Sequence, residues 1–268
     1  MILTQILAKK VRISALRMVH QAKASHIGSA LSIADILAVL YGNVMNFDSS
    51  NQNLNTRDRF ILSKGHACVA VYAILAEMGF ISTDDLETYG EDFSCLMNHI
   101  SHKVNGVEFS TGSLGHGLSF GVGKALASKN RNEKWRTFVV MSDGELDEGS
   151  NWEALMFASH NKLNNLTAII DYNKLQSLDS ISKTLGLEPL VDKLNAFGCM
   201  VCEIDGHNHQ DILTALSKAS LDKPLVIVAH TIKGKGVSFM ENRVEWHYKN
   251  PNDEQLAIAL RELEVSDA

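Results

Sequence analysis

The chain has 268 residues, 45% of them apolar and 21% charged, with a formal net charge of −6. This is enough material for one domain, residues 1–268, with a sizeable core, and no Gly/Ser-rich or charge-rich linker divides it. Dispersed negative charge argues against nucleic acid or an anionic membrane as the main partner, since both require a basic face.

The N-terminal stretch MILTQILAKKVRISALRMVH places Ile6, Val11 and Leu16 at the spacing of an amphipathic helix. Its apolar run is short, charges follow it, and no small-residue cleavage site closes it, so it does not read as a signal peptide. No later apolar stretch reaches the roughly 18–20 residues of a membrane span. A soluble, cytoplasmic protein is the expectation. Residues 4–22 and 32–42 carry helical patterns, and SKGHACVAVYAILAEMG reads as a buried helix ending at Gly79. STDDLETYG opens with a cap, Ser82 followed by Asp85. Residues 88–115 are irregular and rich in Gly, His and Asn, and LSFGVGKALASKN is a small-residue helix suited to close packing.

From there the pattern alternates. TFVVMS is a strand and GSNWEALMFASHNK a helix. LTAIIDY is the next strand, LEPLVDKLNAFG the next helix. CMVCEI, HQDILTALSKAS and LVIVAHT follow as strand, helix and strand, and PNDEQLAIALRELE closes as an amphipathic helix. Three successive strand–helix–strand crossovers predict the α/β class: a doubly wound, mostly parallel sheet with helices on both faces. Cys199 and Cys202 form a CxxC, but residues three apart on a strand point to opposite faces, which speaks against a redox or metal pair.

TFVVMSDGELDEG sets Asp143-Gly144 where a core strand leaves the sheet, with Glu145, Asp147 and Glu148 close behind. Ligands of open parallel sheets bind beyond the carboxyl ends of the strands. Gly144 lets a bound group approach the backbone. A helix starting near Gly149 would aim its positive N-terminal dipole into the same space, with Asp147 and Glu148 complementing that dipole. The next strand ends in AIIDYNKLQ, with Asn173 thirty residues after Asp143. A carboxylate and an amide oxygen from adjacent strand ends suit a hard, octahedral cation such as Mg²⁺, with Ca²⁺ or Mn²⁺ as substitutes. Such an ion shares its ligands with substrate phosphates, and the Leu175 carbonyl offers a third protein ligand. In Lys233-Gly-Lys-Gly236, a phosphate-holding role competes with a simple turn leaving LVIVAHT.

The Asp143-Gly144 … Asn173 spacing resembles the thiamine diphosphate motif, usually written GDG, 25–30 residues, then N. KASHIGSALSIADILAVLY, NTRDRFILSKGHACVAVYAIL, NGVEFSTGSLGHGLSFGVGKALA and GKGVSFMENRVEWH are similar to the N-terminal part of transketolase, in the same order and over nearly the whole chain. The resemblance implies roles. Asp143, Asn173 and the Leu175 carbonyl would bind Mg²⁺, Gly144 and Glu145 would lie at the cofactor, and Gly112 and Leu114 would meet its aminopyrimidine through backbone. His66 and His247 would lie near the diphosphate and the reacting carbon, and His26 and His99 would hydrogen-bond the sugar's oxygens. Glu148 would sit in an acidic link between cofactor sites at a subunit interface. Imidazoles suit this chemistry, because cleaving a ketose beside its carbonyl requires removing a hydroxyl proton and stabilising a negative oxygen near neutral pH. His116, His207 and His209 receive no role. The family has Gly where this chain has Ser142, a change compatible with a β-like backbone but not with a positive φ.

The family also uses a second domain, which binds the aminopyrimidine and supplies the activating glutamate. The sequence stops at Ala268, straight after the last helical pattern. The resemblance therefore implies the N-terminal subunit of a split transketolase. A C-terminal subunit would carry the pyrimidine-binding domain, and the pair would assemble as α₂β₂. It would transfer a two-carbon ketol unit from a ketose or ketose phosphate to an aldose, in the pentose phosphate pathway or a specialised sugar pathway. The alternatives are a subunit similar to deoxyxylulose phosphate synthase, a 2-oxo acid dehydrogenase α subunit, and a non-catalytic cofactor-binding partner.

Overall fold

The computed structural model describes residues 2–52 and 54–265. The chain opens with α1 (Ile2–Gln21), α2 (Ile27–Leu31) and α3 (Ala34–Val39), the last running into a π-helical turn at Leu40–Val44. The helix expected over 32–42 therefore begins only at Ala34 and gives way to the π-helical turn at Leu40. The Ser32 hydroxyl lies within bonding distance of the Ser29 carbonyl and the Asp171 carboxylate, which ties the break between α2 and α3 to the sheet. Then come β1 (Arg59–Leu62), α4 (Cys68–Glu77), α5 (Gly117–Asn130), β2 (Thr137–Ser142), α6 (Gly149–His160) and β3 (Leu166–Tyr172). The chain continues through α7 (Ile181–Thr184), α8 (Leu190–Ala196), β4 (Met200–Asp205), α9 (His209–Leu216), β5 (Leu225–His230) and α10 (Asp253–Val265).

Neither α2 nor α7 was anticipated by the sequence pattern, and two further elements depart from it. The strand Arg59–Leu62 has no counterpart in it: four residues long, it sits between charged residues and a Ser-Lys-Gly turn, too short to show a period. The helix expected over 187–198 begins only at Leu190, after the proline at 189, because a proline disfavours helical backbone in the residue before it.

Among the described residues the five strands are all parallel, in the order β1-β2-β3-β5-β4. Side-chain alternation divides the interior into two cores. Phe138, Val140, Ile169, Ile227 and Ala229 face one core, shared with α1–α4, α9 and α10. Val139, Met141, Ala168, Ile170, Val226 and Val228 face the other, shared with α5, α6 and α8. Helices thus cover both faces, as the doubly wound reading required. The β4-to-β5 connection runs back across the sheet, and α9 accordingly packs on the face opposite α8, as right-handed crossovers demand. Cys199 and Cys202 fall in different cores, which removes the CxxC from redox or metal chemistry. On α5, a Cβ at Gly121 would come 2.5 Å from the Val139 side chain, so the small residue sets the helix-to-sheet distance. Among the described residues no helix is long and apolar enough to cross a membrane.

Candidate active site

Four neighbouring strands release their chains at the same edge of the sheet, and the residues that follow line one cleft. After β1 come Lys64 and His66. Ser142 ends β2 at the cleft, and Asp143 and Gly144 follow it. After β3 come Asn173, Leu175, Gln176 and Ser177, and after β5 comes Lys233. His26 and Ser29 from the start of α2, His99, Gly112 and Leu114 from the irregular segment before α5, and His247 from the 3₁₀ turn Val244–His247 complete the lining. Ten of the residues to which the resemblance gave roles therefore share one space: His26, His66, His99, Gly112, Leu114, Asp143, Gly144, Asn173, Leu175 and His247.

The four histidines form a cluster. The His26 ring lies 5.2 Å from His66, 5.7 Å from His99 and 4.9 Å from His247, centroid to centroid. His26 is held in left-handed backbone conformation, φ 72°, and its N–H donates to the His247 carbonyl at 2.9 Å. A non-glycine residue at positive φ is a strained arrangement that the surroundings must enforce. Burial, then the neighbouring His99, lowers the His26 pKa to about 4, and burial followed by Lys233 lowers that of His247 to about 3. Burial, with Lys64 behind it, holds His66 well below the ordinary range, and burial also lowers His99. All four rings are neutral near pH 7. The Lys233 ammonium lies 3.2 Å from His247 Nδ1. A charged lysine can only donate there, so Nε2 carries the ring proton.

On the opposite wall Asp143 is 2% exposed. Its Oδ1 accepts from the Gly144 N–H at 2.7 Å and its Oδ2 from the Lys174 N–H at 2.6 Å. Burial, then the charge of Asp171, pushes its pKa up to about 7. A divalent cation at this wall would offset both effects and keep the carboxylate ionised. The Asn173 side-chain oxygen and the Leu175 carbonyl are the neighbouring neutral oxygens, a donor set that suits a hard ion and fits the expected Mg²⁺.

Beneath the cleft lies a buried ion pair that sequence reasoning missed. Asp171, fully buried in β3, accepts from the Lys64 ammonium, the Ser32 and Thr231 hydroxyls and the Asn173 amide. Burial opposes its charge, but Lys64 and these donors hold its carboxyl below the ordinary range. The signal for it is an acid inside the apolar run AIIDY, since a charge in a core strand needs a partner. The segment Lys233–Gly236 does form a turn, with Gly234 and Gly236 at φ 83° and 93°. Lys233 nonetheless lines the cleft, 2% exposed, and donates to the Leu175 and Gln176 carbonyls.

Two expectations change. Glu145 does not line the cleft. It is fully buried and accepts from the Ser63 hydroxyl and the Gly115 and Ser142 N–H groups, tying three segments together behind the cleft wall. Glu148 lies on the surface outside the cleft, with its side chain against Gly115, where a role at a subunit interface stays open. The first turn at the cleft is not α6 but a 3₁₀ turn, Gly144–Asp147, capped by Asp143. Ser142 closes β2 with strand backbone, paired in register with Asp171, as a β-like conformation requires.

The family model described as transketolase, thiamine diphosphate binding domain, matches residues 3–265. The chain belongs to the transketolase family. It is 41% identical over 261 residues to an apulose-4-phosphate transketolase subunit of Phocaeicola vulgatus, covering 97% of this chain and 93% of that protein. It is likewise 41% identical to a 6-deoxy-6-sulfo-D-fructose transketolase subunit of a Clostridium species, over 91% of this chain and 90% of that one. Among solved structures, the transketolase of Campylobacter jejuni superposes with a TM-score of 0.94 at 29% identity, over 98% of this chain. This transketolase-family chain spans 43% of that longer chain.

Proposed function

We propose that this chain is the diphosphate-binding, N-terminal subunit of a two-component transketolase, active with a separate C-terminal subunit in an α₂β₂ assembly. The observation that carries the reading is the cleft itself. It sets a carboxylate, an amide oxygen and a carbonyl from adjacent strand ends against two lysines and four neutral histidines. Relatives named as transketolase subunits match along nearly their full length, which supports the two-component form.

Asp143, Asn173 and the Leu175 carbonyl would hold Mg²⁺ against a diphosphate, and Lys64 and Lys233 bring positive charge to the same cleft. When bound, thiamine diphosphate supplies the carbanion chemistry that cleaves a ketose beside its carbonyl. The chain's own residues bind, orient and move protons. Neutral His26 and His99 can accept a hydroxyl proton or bridge to a sugar oxygen, and His247 can donate from Nε2 to a developing oxyanion. The companion subunit would supply the glutamate that activates the aminopyrimidine.

Co-purification of the chain from its native source tests the proposal. The complex, given Mg²⁺ and thiamine diphosphate, should transfer a ketol unit from a ketose donor to an aldose. Release of CO₂ from pyruvate would favour the deoxyxylulose phosphate synthase or 2-oxo acid dehydrogenase readings instead. Ketol transfer by the single chain on its own would sink the two-component form.

A further inference from the structure

Lys233 reaches the cleft at the end of a short segment that leaves β5. The sheet ladder holds this segment through the bond from the Gly206 N–H to the His230 carbonyl at 2.8 Å and that from the Thr231 N–H to the Tyr172 carbonyl at 3.4 Å. Further on, the Ile232 N–H donates to Nε2 of His207 at 2.8 Å. This bond fixes the tautomer, because Nε2 must present a lone pair and Nδ1 must carry the proton. Nδ1 lies 2.7 Å from Asp35 Oδ2. Asp35 is itself buried and accepts from both terminal nitrogens of Arg12 and from His209 Nε2 at 3.1 Å. Four donors fill the capacity of its two oxygens. His209 Nδ1 in turn lies 2.8 Å from the Thr4 hydroxyl. Burial opposes the charge on Asp35, but Arg12 and the two histidines hold its carboxyl well below the ordinary range, so it remains an acceptor.

This chain of bonds runs from α1 and α3 to a single backbone amide, the one preceding Lys233. A network rooted in two helices far along the chain thus ends one residue from a cleft ammonium. We propose that His207 is a positioning residue: through the Ile232 amide it sets the Lys233 ammonium against the Leu175 and Gln176 carbonyls and His247 Nδ1. The Arg12–Asp35 pair keeps the imidazole in the tautomer that can do this. That Lys233 there meets a diphosphate rests on the proposed function; the positioning itself does not.

The test uses the full-length chain without cofactor. Surface-accessible and cleft lysines are acetylated with a small N-hydroxysuccinimide ester at pH 8, and each site is followed by peptide mass spectrometry. His207→Asn keeps a polar group toward Asp35 but is too short to reach Ile232. It should raise the acetylation rate of Lys233 by about three- to tenfold, the range that one lost hydrogen bond produces. Lys64, equally buried in the same cleft, serves as the internal control and should stay at its wild-type rate. His207→Gln places an amide oxygen where Nε2 was and should restore the wild-type rate at Lys233. His207→Ser carries the same expectation as the asparagine variant, should that one not fold. Equal Lys233 rates in wild type and variant would overturn the proposal, and so would Lys233 and Lys64 rising together, which reports general loosening. Adding thiamine diphosphate and Mg²⁺ to the wild-type chain tests the cofactor reading separately. Protection of Lys233 is expected, and its absence would count against that reading alone.

Discussion

Asp143 combines two demands that conflict in the metal-free chain. It is buried beside a second carboxylate, Asp171, and its pKa is pushed up to about 7 by that burial and that charge. An acid whose folded pKa exceeds its unfolded value of 3.8 binds more protons when folded. Its favourable contribution is therefore full below about pH 4 and is lost as pH rises through about 7. The metal-free wild type should lose stability relative to Asp143→Asn across that window, by an amount of order a few kcal/mol. Urea midpoints of the two proteins from pH 4 to 8 read this directly, and parallel curves would remove the conflict. With Mg²⁺ and thiamine diphosphate the order should reverse, because only the wild type offers the ionised ligand. A thermal-shift titration should show a ligand-induced rise in wild type and none in Asp143→Ala. The histidine cluster has the opposite sign. His26 and His247, lowered to about 4 and about 3, stay neutral in the fold while an unfolded chain protonates near 6.5. Stability should fall as pH drops from about 6.5 toward 4. His26→Asn should flatten that fall, as measured by denaturant midpoints in the same buffers.

At the scale of elements, close backbone approach holds the cleft's irregular wall. A Cβ at Gly65 would lie 2.3 Å from the Thr111 carbonyl oxygen. The Gly65 carbonyl accepts from the Ile100 N–H at 3.0 Å, which docks the segment bearing His99 and Gly112 on the end of β1. Gly65→Ala should therefore cost about 1–3 kcal/mol by overpacking against backbone. It should also weaken cofactor binding, since the displaced wall carries two lining residues. Denaturant unfolding and a calorimetric titration measure the two effects; an unchanged midpoint would show that the wall yields freely. Apart from α7 and the start of α8, the regular half of the chain was legible from period alone: β2 to β5 alternate with helices, and the two cores follow from that alternation. Gly65 and the strand before it were not, because four strand residues carry no period and a glycine's close neighbour is non-local. The motif residues Asp143 and Asn173 were legible because chemistry and spacing coincide at strand ends. Lys64 and Asp171 escaped because each makes sense only beside the other, and 107 residues separate them. Glu145 was misplaced for a related reason: its partners Ser63 and Gly115 come from other segments, which no local reading supplies.

For the molecule as a whole, the cleft lies at one edge of the sheet, and an apolar surface lies on a neighbouring element. On α6, Met156 is 58% and Phe157 47% exposed, and Glu148 stands at the surface just before the helix. Large exposed apolar side chains on one helix that starts at an exposed carboxylate are what a subunit interface presents before assembly. If α6 meets another subunit in the proposed α₂β₂ assembly, a charge there must be desolvated without a partner. Met156→Glu should then weaken assembly by at least about tenfold while leaving the isolated chain as stable as wild type, because the side chain is outside both cores. Analytical ultracentrifugation of the reconstituted complex reads the association, and denaturant unfolding of the single chain supplies the control. Ketol transfer should fall in parallel with the fraction assembled and recover at high protein concentration. A complex of the Met156→Glu variant that assembles normally would move the interface off α6.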